Sequence, residues 1–147
     1  MRRKILVSAC LLGICCRYDG RGNPNDAVLS LLERDDIMLI PVCPEQLGGL
    51  ATPRIPSERR DGCIVNRAGE DVTSQFARGA EEALRIAKLF ECRTAILKER
   101  SPSCGCGKIY DGTFSGSLTD GDGVTAELLR REGIQVYGES RVSEIID

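Results

Sequence analysis

Four short apolar segments, separated by stretches with helical periodicity, constrain the fold of this chain more than any other feature. These segments predict buried strands over residues 4–9, 37–42, 94–97 and 134–137. The stretches between them predict helices over residues 27–34, 73–90 and 124–131. Strands that alternate with helices favour a parallel sheet covered by helices on both faces. The sequence therefore predicts the α/β class, as a three-layer sandwich with a mostly parallel, Rossmann-like sheet.

The remaining segments are predicted to lack regular structure. Residues 44–61 are rich in proline and contain the adjacent pair Gly48-Gly49, which predicts an extended loop. Residues 101–123 are rich in Gly, Ser and Asp and predict an irregular segment, whereas residues 143–146 predict the start of a short terminal helix.

Length and charge limit the classes of function. The chain has 147 residues, the length of one ordinary domain, so we expect a single domain over residues 1–147. The formal net charge is −2, aromatic residues make up 4% and Trp is absent, so neither a basic nucleic-acid footprint nor a base-stacking platform is indicated. We therefore regard nucleic acid as an unlikely partner. The oligomeric state is not indicated by the sequence.

The amino-terminal segment bears on the compartment. Only Ile5, Leu6 and Val7 separate the basic start from Ser8, whereas the apolar part of a secretory signal needs about 7–15 residues. No segment approaches the ~18 consecutive apolar residues of a membrane span. We therefore expect a cytoplasmic protein that does not associate with a membrane.

The chain has no histidine and eight cysteines. The absence of histidine excludes Ser-His-Asp and Cys-His catalysis, and also metal sites that depend on imidazole. Because disulfides are rare in the cytoplasm, cysteines that cluster there usually bind metal or react. The composition therefore points to thiolate chemistry or to a metal held by thiolates.

Three of the cysteines follow the ends of predicted strands. Cys10 comes after the first strand, Cys43 after the second, and Cys104 lies in the loop after the third. In a parallel sheet the carboxyl ends of the strands meet at one edge, so these thiols are expected to converge. Three thiolates without an obvious fourth ligand suit a [4Fe–4S] cluster with one iron that has no protein ligand. A tetrahedral zinc site is the competing metal, and three separately buried cysteines are the remaining alternative.

Five segments resemble the signatures of the domain of unknown function 523 family. They are Ser-Ala-Cys-Leu-Leu-Gly at 8–13, Cys-Arg-Tyr-Asp-Gly at 16–20, Pro-Val-Cys-Pro-Glu-Gln-Leu-Gly-Gly at 41–49, Leu-Lys-Glu-Arg-Ser-Pro-Ser-Cys-Gly at 97–105 and Gly-Lys-Ile-Tyr-Asp-Gly-Thr-Phe at 107–114. The characterised members are thiouracil desulfidases of the TudS type, which remove sulfur from thiolated pyrimidine bases with a [4Fe–4S] cluster held by three cysteines. The resemblance implies that Cys10, Cys43 and Cys104 are the ligands, and that this chain is the short form without a second domain.

The same segments supply candidates for the remaining roles. Glu45 follows the second of the three cysteines by two positions and is predicted to be the general acid–base that activates water. Ser101 is predicted to orient this base or to hold a proton in transit, while Ser103, Asp19 and Arg17 are candidates for substrate contacts. The alternative for Glu45 is a carboxylate that only caps a backbone turn. The alternative for the two serines is a pair of hydroxyl groups that only form hydrogen bonds within the turn, and for Asp19 and Arg17 it is a pair of solvated charges.

The predicted function is therefore the iron–sulfur-dependent, non-redox desulfuration of a small thiolated nucleobase or nucleoside, with release of sulfide. Two other functions remain open. One is a zinc-binding structural or interaction domain, and the other is a sulfur carrier with a persulfide on Cys104. Adjacent thiols rarely bind one metal, so a packing role is favoured for Cys15 and Cys16, with a place for Cys16 near the cluster as the alternative. Cys106 is left unassigned, and Cys63 and Cys92 lie outside the segments quoted above.

Overall fold

The computed structural model describes residues 2–145. The strands are β1 Arg3–Ser8, β2 Ile37–Val42, β3 Ser57–Arg60, β4 Cys63–Asn66, β5 Thr94–Leu97, β6 Lys108–Tyr110, β7 Leu118–Asp120 and β8 Gln135–Gly138. The helices are α1 Asp26–Ser30, α2 Pro44–Leu47, α3 Thr73–Leu89 and α4 Val124–Arg131. Short 3₁₀ helices follow β1 at Ala9–Leu12, α1 at Leu31–Glu33 and β8 at Glu139–Glu144.

The central sheet has the strand order β2-β1-β5-β8, and every neighbouring pair is parallel. The register pairs Ile5 with Leu39 on one side of β1 and with Thr94 on the other. The chain runs outward from β1 to β2, and later from β5 to β8 on the opposite side. The strand order therefore reverses between β1 and β5, where ligands gather in open α/β sheets.

The sheet separates two apolar layers, as the alternation of side chains along a strand requires. Ile5 and Val7 of β1 face a cluster with Val28 and Leu31 of the α1 region. Leu6 faces the other way, into a cluster formed with α3 and α4. Helical segments therefore cover both faces, and the predicted three-layer α/β sandwich with a parallel sheet is confirmed.

The two predicted loops contain more regular structure than the sequence indicated. Residues 44–61 hold the single turn α2 and the strand β3, which pairs with β4 as an antiparallel hairpin. Residues 101–123 hold the second hairpin, β6–β7. These elements are three or four residues long and mostly polar, so they lack the apolar periodicity that marks a buried strand or helix. The predicted terminal helix overlaps the last 3₁₀ helix, and its final residue, Ile146, lies outside the described residues.

Helix α2 lies directly on the backbone of α3. A Cβ atom built at Gly79 of α3 would overlap the carbonyl oxygen of Pro44, and one built at Gly48 would overlap that of Gln75. Only glycine allows so close an approach at these two positions. Since Pro44 immediately follows Cys43, this contact fixes the position of the chain just beyond β2.

The hairpins lie beyond the carboxyl edge of the sheet and contact each other. Glu58 of β3, a buried residue, accepts hydrogen bonds from the backbone N–H groups of Gly112 and Phe114, at 2.9 and 3.1 Å. These bonds hold the loop between β6 and β7 against the first hairpin. In residues 2–145, no helix combines the length and the apolar character needed to cross a bilayer.

Candidate metal centre

A cavity of about 410 Å³ opens at the carboxyl edge of the sheet, and Cys10, Cys43 and Cys104 all line it. Cys10 lies in the 3₁₀ turn that follows β1, Cys43 directly precedes α2, and Cys104 lies in the turn beyond β5. The structure therefore brings together the three thiols that the strand-end argument selected. They come from three neighbouring strands, next to the point where the strand order reverses.

Local hydrogen bonds fix the backbone of these turns. Ser101 Oγ accepts hydrogen bonds from the backbone N–H groups of Ser103 and Cys104, each at 3.1 Å. The 3₁₀ turn that contains Cys10 ends at Gly13, whose φ of 92° is readily accessible only to glycine. Pro44 begins α2, where its fixed φ favours a helix and its missing N–H is not needed.

The surroundings of two of the thiols disfavour the thiolate form. Burial, reinforced by the Glu45 carboxylate, raises the pKa of Cys10 to about 11. Burial is also the main reason that the pKa of Cys104 lies well above its ordinary value, and Glu45, Cys10 and Cys43 add to the effect. Three anionic sulfurs in this space therefore require a positively charged species to compensate them.

Cys43 differs because it lies against a fourth thiol, that of Cys16. Its Sγ is 3.6 Å from the carbonyl oxygen of Cys16, and the Cys16 thiol is hydrogen-bonded to it. This hydrogen bond stabilises the Cys43 thiolate and lowers its pKa to about 7, whereas the pKa of Cys16 is raised. Cys16 is only 2% exposed and lines the same cavity. The sequence had left its position open.

Cationic side chains also reach the cavity. Lys98 lies at the end of β5, where its positive charge opposes the rise in the pKa of Cys10. Its Nζ is 2.9 Å from Glu139 Oε2 and 3.2 Å from the backbone carbonyl of Glu99. Arg17 also lines the cavity and lowers the pKa of Cys10 to a smaller extent.

Glu45 projects from the first turn of α2 into the cavity, in contact with Arg54. Arg54 Nη2 is 3.4 Å from Glu45 Oε2 and donates a hydrogen bond of 3.1 Å to the carbonyl oxygen of Cys16. Sequence reasoning missed Arg54, because it lies in a proline-rich segment with no recognisable pattern. The only available signal was that a long loop after a strand end must lie over that edge of the sheet.

The other predicted site residues divide into two groups. Ser101 and Arg17 line the cavity, as expected for groups that could act there. Asp19 and Ser103 are not among the residues that line it. Asp19 accepts a hydrogen bond from the backbone of Arg21, and the Ser103 side chain is fully buried, with its hydroxyl 2.8 Å from that of Thr125.

Aromatic side chains form part of the cavity wall, and the sequence had not singled them out. They are Tyr18, Phe76, Tyr110 and Phe114. The guanidinium of Arg67 lies 5.6 Å from the centroid of the Phe114 ring, and Glu58 anchors the backbone of the same loop. The wall therefore combines flat apolar rings with charged groups.

The donor set fits an iron–sulfur cluster. Thiolates are the usual protein ligands of such clusters, and these three come from separate strand ends around one cavity. Within residues 2–145, no group of three or more Cys, Asp or Glu side chains is placed to hold a single metal ion.

The remaining cysteines lie away from this cavity. Cys106 is half-buried, and its Sγ accepts a hydrogen bond from Arg130 and lies 3.7 Å from the carbonyl oxygen of Val136. Cys15 and Cys63 are exposed. Cys92 is buried next to the amino end of β5, at the opposite edge of the sheet.

Comparisons with known proteins agree with this geometry. The family model for 2-thiouracil desulfurase matches residues 5–141. A solved structure of a [4Fe-4S]-dependent thiouracil desulfidase, TudS, has a TM-score of 0.89 and 46% sequence identity, and covers 97% of this chain and 95% of that chain. The uncharacterized protein YbbK of Bacillus subtilis (strain 168) is 43% identical in an alignment 152 positions long, which covers 97% of this chain and 99% of that protein. The family model spans almost the whole sheet and every wall of the cavity, and the chain belongs to the 2-thiouracil desulfurase family.

Proposed function

We propose that this chain is a [4Fe–4S]-dependent desulfidase that converts a thiolated pyrimidine base into its oxo form without net electron transfer. The observation that supports this most strongly is the convergence of Cys10, Cys43 and Cys104 on one cavity that also contains Glu45. The solved relative at 46% identity is itself a [4Fe-4S]-dependent thiouracil desulfidase. In the proposed reaction water adds its oxygen to the thiocarbonyl carbon, the C–S bond breaks, and hydrogen sulfide is the second product.

The three cysteines would hold the cluster and leave one iron without a protein ligand. When bound, the cluster would supply a Lewis acid that draws electron density from the thiocarbonyl sulfur. Lys98 and Arg17 would offset part of the negative charge of the thiolates, since both act on Cys10.

Glu45 would move the protons. Its Oε2 faces Arg54, which leaves Oε1 to accept a proton from the attacking water. The carboxyl group can then return this proton to the departing sulfur, and it can relay the proton of the newly formed hydroxyl group in the same way, which gives the oxo base and hydrogen sulfide. Ser101 Oγ accepts two backbone hydrogen bonds, so its own proton is available to donate into the cavity towards Glu45 or the substrate.

The size and lining of the cavity suit a single pyrimidine ring. About 410 Å³ lies at the lower end of the range for small-molecule sites, which is roughly 300–1,000 Å³, and the cluster would fill part of it, so the space left suits only a small ligand. Tyr110 and Phe114 provide flat surfaces on which a base can stack. A small thiolated base or nucleoside is therefore the substrate class that we propose.

The test begins with anaerobic reconstitution of the chain with iron and sulfide. We expect about four irons per chain, a brown colour, and conversion of thiouracil into uracil with one sulfide released per base. Glu45→Gln should keep its iron and lose roughly 10²–10⁴-fold in kcat, the usual contribution of a general base. Glu81→Gln, on the exposed face of α3, is the matched control and should behave like the wild type.

Three outcomes would overturn the proposal. Bound zinc without acid-labile sulfide would favour a structural zinc domain. A stable extra sulfur on one cysteine in the iron-free protein, detected by mass spectrometry, would favour a persulfide carrier. A fully loaded cluster that leaves thiouracil and its nucleoside unchanged would exclude the proposed reaction.

A further inference from the structure

We propose that Arg54 is a positioning residue that holds the Glu45 carboxylate in one orientation towards the substrate. This inference rests on the role proposed above for Glu45. The side chain of Arg54 is only 11% exposed and that of Glu45 only 16%. A guanidinium with so little exposure to solvent is stable only where its N–H groups find hydrogen-bond acceptors. The acceptors around Arg54 therefore identify the groups that it holds in place.

The donors of Arg54 connect three segments of the cavity wall. Nη2 reaches Glu45 Oε2 at 3.4 Å and the carbonyl oxygen of Cys16 at 3.1 Å. Nη1 reaches the carbonyl oxygen of Ala51 at 3.2 Å and Thr52 Oγ1 at 3.1 Å. The guanidinium therefore joins α2, the segment after β1, and the loop that contains Arg54 itself.

A second route leads from Arg54 back to α2. Thr52 Oγ1, which accepts from Arg54, also accepts a 2.7 Å hydrogen bond from Gln46 Nε2. Glu45 and Gln46 are consecutive residues of the single turn α2, so both are tied to the same loop. The backbone N–H of Arg54 donates to the carbonyl oxygen of Tyr18 at 2.8 Å, which fixes that loop against the segment after β1.

This network has a consequence for catalysis. Helix α2 is one turn long, so its own backbone hydrogen bonds constrain the Glu45 side chain little. A general base must lie within hydrogen-bond reach of the proton that it accepts, and small displacements reduce the rate strongly. Arg54 supplies the missing constraint from outside the helix. A lysine could keep the charge but not the planar fork that reaches four acceptors.

The test uses the reconstituted holoenzyme and a double-mutant cycle. We expect Arg54→Met to lower kcat by roughly 10²-fold with KM changed by less than about threefold, because orientation rather than binding is lost. The kcat of Arg54→Lys should exceed that of Arg54→Met by less than about tenfold. Glu45→Gln/Arg54→Met should be no slower than Glu45→Gln alone, since Arg54 acts through Glu45.

A readout independent of turnover separates positioning from cluster support. Iron and sulfide content and the electron paramagnetic resonance spectrum of the reduced cluster should match the wild type in Arg54→Met. Arg59→Met is the matched control, because Arg59 is also partly buried and paired with a carboxylate, Glu127 at 2.6 Å, but does not line the cavity. It should retain the wild-type kcat.

The outcomes distinguish this inference from the proposed function. Additive losses in the double mutant, a kcat within twofold of the wild type, or loss of iron in Arg54→Met would overturn the role of Arg54 while leaving the desulfidase intact. Full activity of Glu45→Gln would instead remove the proposed base. If Arg54→Met does not fold, Arg54→Lys keeps the buried charge, and the same cycle with Glu45→Gln decides the question.

Discussion

The two edges of the central sheet each carry a cavity, and the larger cavity is not the one that gathers the predicted site residues. The carboxyl-edge cavity has a volume of about 410 Å³, whereas one at the amino edge reaches about 710 Å³. The amino-edge cavity is lined mainly by long charged side chains and small apolar ones, among them Arg2, Arg3, Lys4, Leu84, Ala87, Lys88, Glu91, Arg93 and Glu132. It contains one thiol, that of Cys92, whereas the carboxyl edge contains four.

The difference follows from the topology. At the carboxyl edge, connections leave β1 and β5 in opposite directions and open a crevice between two strands. Segments beyond the strands, including both hairpins, then close over it and bring side chains from distant parts of the sequence together. The amino edge lacks such a reversal, and its charged residues extend into solvent. Convergence of reactive groups, rather than volume, therefore distinguishes the candidate site from the other cavity.

The largest expected effect is the loss of the cluster when a carboxyl-edge thiol is removed. Cys10→Ala, Cys43→Ala and Cys104→Ala should each lose most of their iron and all detectable activity, because each removes one of the three ligands that we propose. Cys92→Ala, which removes the amino-edge thiol, should keep iron and activity at wild-type levels. Iron analysis and thiouracil turnover on the four reconstituted variants provide the measurement. Equal iron content in all four variants would contradict the proposal that the cluster binds at the carboxyl edge of the sheet and not at the amino edge.

The strand-end argument could predict that these cysteines line one cavity because it depends only on the order of apolar segments in the chain. Buried strands such as 94–97 are continuous apolar runs, and the residues that follow them must emerge at one edge. Glu45 lines the same cavity for the same reason, since it is adjacent to such an end, and its role as the base stays a prediction.

Arg54 and Glu58 could not be found in this way. Each acts through contacts with residues far along the chain or in another loop, such as the bond from Gly112 N–H to Glu58. Nothing in the local composition of residues 44–61 indicates which charged side chain points into a cavity and which into solvent. Cys16 was also undetermined, because adjacent cysteines give no spacing that distinguishes a packed thiol from one at a site.

A second effect, smaller than cluster loss, should appear among the thiols of the cluster-free protein. The pKa of Cys43 is lowered to about 7 and that of Cys10 is raised to about 11, so a much larger share of Cys43 than of Cys10 is thiolate near neutral pH. Labelling of Cys43 by iodoacetamide should therefore fall as the pH drops through about 7, whereas labelling of Cys10 should rise only towards pH ~11. Peptide mass spectrometry across this range measures both.

The amino edge and a single substitution serve as controls for this labelling. Burial raises the pKa of Cys92, so this thiol should also label slowly at neutral pH. Cys16→Ala removes the hydrogen bond that stabilises the Cys43 thiolate and should move the labelling midpoint of Cys43 upward. An unchanged midpoint in Cys16→Ala would show that another group sets the acidity of Cys43.

The smallest effect concerns α3, which runs from one cavity to the other. Phe76 near its start lines the carboxyl-edge cavity, and Lys88 near its end lines the amino-edge cavity. Gly79→Ala should push α2 away from α3, because the added methyl group meets the Pro44 carbonyl oxygen, and should cost about 1–3 kcal/mol of stability. Cys43 and Glu45 would move with α2, so iron retention and kcat should fall together.

Lys88→Ala, at the far end of α3, is the control. It loses only an exposed ion pair with Glu132 and should leave iron retention and kcat unchanged. Urea unfolding with iron and activity assays tests this, and a Gly79→Ala protein that is destabilised but fully active would show that α2 adjusts without moving the site.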